Sequence, residues 1–239
     1  MLQSNSKSPN LLLLSNSRNP AGEYLVHARD AIAEFARRRR KALFFPFAGV
    51  TVPWDDALAM LRTALAPLDI SISGAHHCAD LPLAIREAEL LLVGGGNTFR
   101  LLYEVRRRGC IDPLRTAVAA GTHYIGWSAG SVLSTPSICT TNDMPIIDPQ
   151  GLDALGLIPF HLNCHYNNAL PPGHQGETRN QRIAEYLALN AGARVLALPE
   201  GNWLEVRGAA YSLHGASENL VFTAVGEPLI AHSGPLALR

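Results

Sequence analysis

The stretch Tyr124-Ile125-Gly126-Trp127-Ser128-Ala129-Gly130-Ser131 contains a complete G-x-S-x-G. An apolar pair precedes it and small residues able to open a helix follow. That is the strand, sharp turn and helix that present a serine hydroxyl at a sheet end. The glycines have a steric purpose, because side chains on both sides of the serine would collide across so tight a turn. Ala129 then offers a backbone N–H near a helix start, where developing negative charge is stabilised. A serine hydroxyl is a weak nucleophile and needs a general base, usually a histidine held by a carboxylate. Among nine histidines, His165 stands at the end of a predicted strand, and Glu200 ends another, on the sheet edge that carries Ser128. The chain order is then Ser, His, Glu, whereas an ordinary α/β-hydrolase places its histidine last. On residues alone, Ser128 also fits an idle serine in a glycine-rich turn, and Glu200 a turn residue after Pro199. His161, Cys164 and His165 could instead hold a metal, although no H-E-x-x-H and no second nearby cysteine accompany them. Gly94-Gly95-Gly96 lacks the spacing of a phosphate loop. Glycine lets backbone approach a substrate closely, which makes Gly96 a candidate for a second oxyanion N–H.

The elements that must position these residues follow from apolar patterning. Short continuous apolar runs at 11–14, 42–45 and 90–93 predict strands buried on both faces, 70–73 is a weaker strand, and a further strand precedes Ser128. Helices are predicted over 24–38, 55–65, 80–88, 98–108 and 112–121, with Asp80 and Pro82 as an N-terminal signal. Strands alternating with such helices predict an α/β fold with a doubly wound, mostly parallel sheet and helices on both faces. Ligands then bind at the strand C-terminal ends, where Gly94-Gly95-Gly96 and Ser128 fall. Residues 134–159 are proline-rich and aperiodic, a long functional loop. A strand over 160–164 delivers His165, a helix covers 179–189, and a strand over 195–198 runs into Pro199-Glu200-Gly201-Asn202. Runs at 203–206, 209–213 and 220–222 predict a β-rich C-terminal tail. Residues 1–9 are expected to be disordered, and 10–239 to form a single domain.

Composition narrows the function classes. With 47% apolar and 17% charged residues among 239, the chain can bury a large core. Twenty basic and twenty acidic residues cancel, which argues against nucleic acid or an anionic membrane as partner. The run Arg37-Arg38-Arg39-Arg40-Lys41 is expected to sit at a helix C-terminus, where cations are favoured. Four cysteines without a C-x-x-C predict no disulfide framework or structural zinc, and fit a reducing cytoplasm. Four leucines at 11–14 are too few for a signal peptide, and no run approaches a membrane span. The expected location is the cytoplasm.

Longer segments carry a family likeness. Phe47-Ala48-Gly49-Val50-Thr51, Val93-Gly94-Gly95-Gly96-Asn97-Thr98-Phe99, Tyr124-Ile125-Gly126-Trp127-Ser128-Ala129-Gly130, Thr141-Asn142-Asp143-Met144-Pro145-Ile146 and Leu198-Pro199-Glu200-Gly201-Asn202-Trp203 resemble the peptidase E family of α-aspartyl dipeptidases. The resemblance runs from about residue 11 to about 222. It implies a class I amidotransferase-like α/β fold and a cytoplasmic serine exopeptidase that cleaves after an N-terminal aspartate. Matched residue by residue, it puts the nucleophile on Ser128, the base on His165 and the orienting acid on Glu200, in the family's own order. The N–H groups of Gly96 and Ala129 would hold the oxyanion, and the reaction would require neither metal nor organic cofactor. Cys164 departs from the family's proline, and the last fifteen or so residues match poorly.

The expected partner is a small peptide with an N-terminal aspartate, and a dimer is compatible with the sequence. Arg179, after a Pro/Gly-rich loop, is the candidate for the substrate carboxylate, helped by Asn97 and Thr141. Asp143 is the candidate for the α-amino group. Arg179 is equally readable as a helix-start residue making surface ion pairs. The rivals are a cyanophycinase-like enzyme with the same three residues and a catalytically inactive binding module of this fold. An amidotransferase-like domain is disfavoured by serine in place of cysteine.

Overall fold

The computed structural model describes residues 9–173 and 175–237. The start expected to be disordered falls outside that range except for Pro9, whose carbonyl accepts from Gly208 N at 3.0 Å.

The strands predicted up to Ser128 become five neighbouring strands of an eight-stranded sheet, with the weaker 70–73 strand at its edge. Strands β1 (Asn10–Leu14), β2 (Lys41–Phe45), β3 (Ser71–Gly74), β4 (Leu90–Val93) and β5 (His123–Trp127) are parallel, in the order β1-β5-β4-β2-β3. Alternate side chains supply two separate cores, as the two-residue period of a strand requires. Leu11, Leu13, Phe45, Val93 and Tyr124 pack under helices α3 (Leu81–Glu87), α4 (Thr98–Arg107), α5 (Ile111–Ala120) and α6 (Ala129–Leu133). Leu12, Leu14, Phe44, Leu92 and Trp127 pack under α1 (Arg29–Ala36) and α2 (Trp54–Leu65). Helices therefore cover both faces, and the mostly parallel, doubly wound sheet is as expected. Asp80 caps α3 by accepting from Leu83 N at 2.8 Å.

Three expectations change. The helix expected over 24–38 starts later, as a 3-10 turn at Val26–Ala28 and then α1, because Leu25 adopts a left-handed φ of 57° and Tyr24 bridges to Arg18. The tail splits between two sheets. β8 (Trp203–Arg207) and β9 (Ala210–His214) extend the main sheet antiparallel from β1, with β12 (Gly234–Pro235) on the outer edge. The strands that lead to His165 and Glu200 do not lie in the sheet of Ser128. β6 (His161–Asn163) and β7 (Arg194–Ala197) join β10 (Asn219–Thr223) and β11 (Leu229–Ala231) in a second, four-stranded sheet, backed by α7 (Arg179–Leu189).

Residues 134–159 form the expected long loop. Guanidinium groups from the helices below hold it: Arg106 donates to Pro149 O and Asp153 O, and Arg115 to Leu155 O and Ala154 O. Among the described residues no helix is long and apolar enough to cross a membrane.

Candidate active site

β5 ends at Trp127 and α6 starts at Ala129, so Ser128 alone makes the turn. Its φ of 52° and ψ of −116° lie where a non-glycine residue is strained, and such strain persists only when the surroundings hold it. The surroundings are explicit. Ser128 N donates to Leu14 O at 3.1 Å, and the Ser131 hydroxyl reaches Leu14 O and Gly126 O at 2.7 and 2.9 Å. The Tyr124 hydroxyl donates to Gly130 O at 2.6 Å. A Cβ on Gly126 would lie 2.6 Å from Gly130 C, and one on Gly130 would lie 2.1 Å from Val93 O. Both glycines are therefore required by close approach, as the motif implied.

His165 follows β6 with a left-handed φ of 53°, which turns its ring back toward the main sheet. Its Nε2 lies 2.9 Å from Ser128 Oγ and its Nδ1 lies 2.8 Å from Glu200 Oε1. The carboxylate accepts, so Nδ1 carries a proton; in the neutral ring Nε2 is then left as an acceptor for the serine hydroxyl. The structure thus brings Ser128, His165 and Glu200 into one line, although they stand on two sheets. The site is open: 42% of the His165 side chain and 66% of the Glu200 side chain are exposed. At that exposure water screens the charge of the pair.

The glycine run passes beside the serine, since a Cβ on Gly95 would lie 3.0 Å from Ser128 Cβ. The N–H groups of Gly96 and Ala129 make no hydrogen bond within the chain among the described residues. A narrow cleft holds Ser128, Ala129, Thr98, Thr141, Asp143 and His165. In it Asp143 Oδ2 accepts from Thr98 N at 2.7 Å, Thr98 Oγ1 at 2.5 Å and Thr141 Oγ1 at 3.1 Å. Asn97 is placed differently. Its Oδ1 caps α4 through Arg100 N at 3.0 Å and its Nδ2 donates to Met144 O at 2.9 Å, so it lies outside that cleft's lining. Arg179 is also outside the lining, at the first turn of α7 beside Tyr166. Its Nη1 is buried and without a hydrogen-bond partner among the described residues. Burial, and then the nearby Arg182, lower its pKa from the ordinary value.

Metal ligation by His161, Cys164 and His165 finds no support in the geometry. His161 Nε2 is shared with the Tyr186 hydroxyl at 3.0 Å, and His165 is engaged as above. Burial, with Asp143 nearby, pushes the Cys164 thiol up to about 12, so it is no thiolate at neutral pH. Among the described residues, one group brings three possible ligand atoms within 4.8 Å of one another: Asp55 at the start of α2 with His76 and His77 just past β3. Both imidazoles already donate through Nε2 to Asp55 Oδ1, at 3.0 and 2.7 Å. A cation on the His76 Nε2 would move the ring proton to Nδ1, which is buried and unpartnered. Three strand spacings, roughly 14 Å, also separate β3 from the serine strand.

Sequence reasoning passed over Ser15 and Asn16, which are 0% and 4% exposed at the end of β1 and touch the segments carrying His165 and Glu200. The available signal was two polar residues directly after a strand buried on both faces.

An α/β sheet carrying a strained serine at an elbow, with a histidine and a carboxylate in hydrogen-bond line, defines a serine-hydrolase type of site. The sequence profile of peptidase family S51 matches residues 11–214. The chain is 52% identical to peptidase E of Citrobacter koseri and 50% identical to peptidase E of Escherichia coli. Each comparison runs over 224 residues and covers 94% of this chain and 98% of the relative. The chain belongs to peptidase family S51 and is a serine peptidase. Two crystal structures share the fold. A Listeria monocytogenes protein described as a peptidase E superposes with a TM-score of 0.68 at 24% identity, covering 87% of this chain and 99% of that one. A peptidase from an acI-B1 actinobacterium gives 0.70 at 16% identity, covering 98% and 99%.

Proposed function

We propose that this peptidase hydrolyses dipeptides, and short peptides, that carry an N-terminal aspartate, through an acyl-enzyme on Ser128. The observation that carries the reading is the unbroken line from Glu200 Oε1 to His165 Nδ1 and from His165 Nε2 to Ser128 Oγ, at 2.8 and 2.9 Å. His165 accepts the serine proton as Oγ bonds to the scissile carbonyl carbon. It returns that proton to the leaving nitrogen as the C–N bond breaks, and water then releases the aspartate by the same steps. Glu200 fixes the tautomer and stabilises the imidazolium. Gly96 and Ala129 hold the oxyanion, supported by their two unengaged N–H groups near the serine. Donors of this kind are worth ~100- to 1,000-fold each.

The aspartate preference needs a cation for the side-chain carboxylate and a negative group for the α-amine. Arg179 takes the first role, supported by its buried, unpaired Nη1. Asp143 takes the second, supported by its place in the cleft of Ser128, and Thr141 in the same cleft helps with the carboxylate. Asn97 acts from one residue away, shaping the glycine turn through its cap on α4. The four cysteines are free, and we take the cytoplasm as the place of action.

Turnover of Asp-Leu, Glu-Leu, Asn-Leu and isoaspartyl-Leu, beside an aspartate-arginine polymer, tests the substrate. Asp-Leu is expected to have the highest kcat/KM by at least tenfold. Faster cleavage of the polymer, or equal rates on Asp-Leu and Asn-Leu, contradicts the proposal.

A further inference from the structure

The three residues assigned to catalysis stand on two sheets, so something must hold the sheets in register to a fraction of an ångström. The structure points to the turn at the end of β1, and we propose that Ser15 and Asn16 are positioning residues that set His165 and Glu200 against Ser128. The proposal rests on the triad reading above.

Each half of the site is tied to three consecutive residues. On the serine side, Leu14 O accepts from Ser128 N at 3.1 Å and from the Ser131 hydroxyl at 2.7 Å. On the base side, the Ser15 hydroxyl donates to Leu198 O at 2.8 Å and accepts from His165 N at 2.9 Å. On the acid side, Asn16 Oδ1 accepts from Gly201 N at 2.8 Å, the residue after Glu200. Ser15 N donates to Asn202 O at 3.0 Å, and Asn16 Nδ2 donates to Arg18 O at 2.6 Å, which fixes the amide's orientation.

The chemistry of the Ser15 position is specific. One buried group must donate to a carbonyl and accept from an N–H at the same time, which a hydroxyl does and a methyl does not. The bond to His165 N also holds a residue whose φ of 53° is otherwise unfavourable. If the bond is lost, His165 can relax toward an ordinary backbone conformation, and its ring then swings away from Ser128 Oγ. Neither Ser15 nor Asn16 lines the serine cleft, so substrate binding should be spared.

The test compares Ser15→Ala, Ser15→Thr and Asn16→Ala with the unaltered protein and with Ser128→Ala. Asp-Leu turnover, the rate of fluorophosphonate labelling and the downfield proton resonance of the His165–Glu200 bond are measured on each. A misplacement of about 1 Å costs about 100-fold. Ser15→Ala is therefore expected to lower kcat and the labelling rate by about 10- to 100-fold with KM within threefold, and to shift or broaden the resonance. Ser15→Thr, which keeps the hydroxyl, should recover most of the loss, and Asn16→Ala should show a milder loss of kcat. If Ser15→Ala does not fold, the Asn16→Ala and Ser15→Thr pair decides alone. Unchanged kcat and an unchanged resonance in Asn16→Ala, or in Ser15→Ala, overturn the proposal. So does a lower melting temperature with normal turnover per folded molecule, which marks a purely structural role. Full activity in Ser128→Ala is a different failure: it removes the triad reading, while the resonance in the Ser15 variants still reports whether the turn positions His165.

Discussion

Ser128 carries its strain because four hydrogen bonds and two close glycine contacts leave it nowhere else to go. That part was legible in the sequence, since G-x-S-x-G states the steric requirement in its own residues. The pairing with His165 and Glu200 was legible from patterning only as two strand ends, with the roles coming from the family resemblance, and the residues that align them were not legible. Ser15 and Asn16 look like ordinary loop starts until the packing shows both buried. Arg179 was legible as a cation near His165 in sequence, but the segment before α7 has no periodicity from which to read a distance to the cleft. Its unpaired Nη1 gives the first prediction. Arg179→Met should lower kcat/KM for Asp-Leu by ~100-fold or more, the usual scale for removing one member of a desolvated charge pair. Asn-Leu should fall far less, and the melting temperature should hardly move. Equal losses on both substrates would make Arg179 structural.

At the scale of elements, β1, β2 and β4 were legible because each holds a continuous apolar run, the mark of a strand covered on both faces, β5 because it leads into the G-x-S-x-G, and β3 only weakly, since its residues alternate between exposed and buried. The second sheet was not, because β6 has only three residues and β7 pairs antiparallel with β10 across 21 intervening residues, which no local pattern announces. Two predictions belong here. Gly130→Ala must push β4 and α6 apart, because the new Cβ would lie 2.1 Å from Val93 O. Overpacking of this kind should cost about 3 kcal/mol in denaturant unfolding and abolish labelling of Ser128; unfolding at the normal denaturant midpoint would refute the packing argument. His123, at the start of β5, is the second. Burial, then Arg39 and Arg207, depress its pKa to about 4, against a backbone bond to Phe35 O that acts the other way. The unfolded chain binds this proton near its ordinary pKa of about 6.5, so between about 6.5 and 4 it holds more protons than the native state. Stability from this group is thus complete above about pH 6.5 and lost as pH falls toward 4, by about 3 kcal/mol in all. Urea unfolding of the unaltered protein and of His123→Gln, at pH 7.5 and pH 4.5, should show the smaller acid loss in the variant. Equal losses would mean other groups carry it.

For the whole molecule, the turn after β1 and the long guanidinium-bound loop tie the two sheets together, and we take residues 10–239 to be one domain. Heat or urea should then produce a single transition, with tryptophan fluorescence and Ser128 labelling lost together. Earlier loss of labelling, with fluorescence intact, would show that the second sheet melts by itself. The most direct test of the mechanism is turnover of Asp-Leu by Ser128→Ala, His165→Ala and the double variant. Each single change should reduce kcat by ~1,000-fold or more, and the double variant should be little slower than either, because the pair acts as one unit. Losses that multiply in the double variant, or full turnover without the Ser128 hydroxyl, would contradict it.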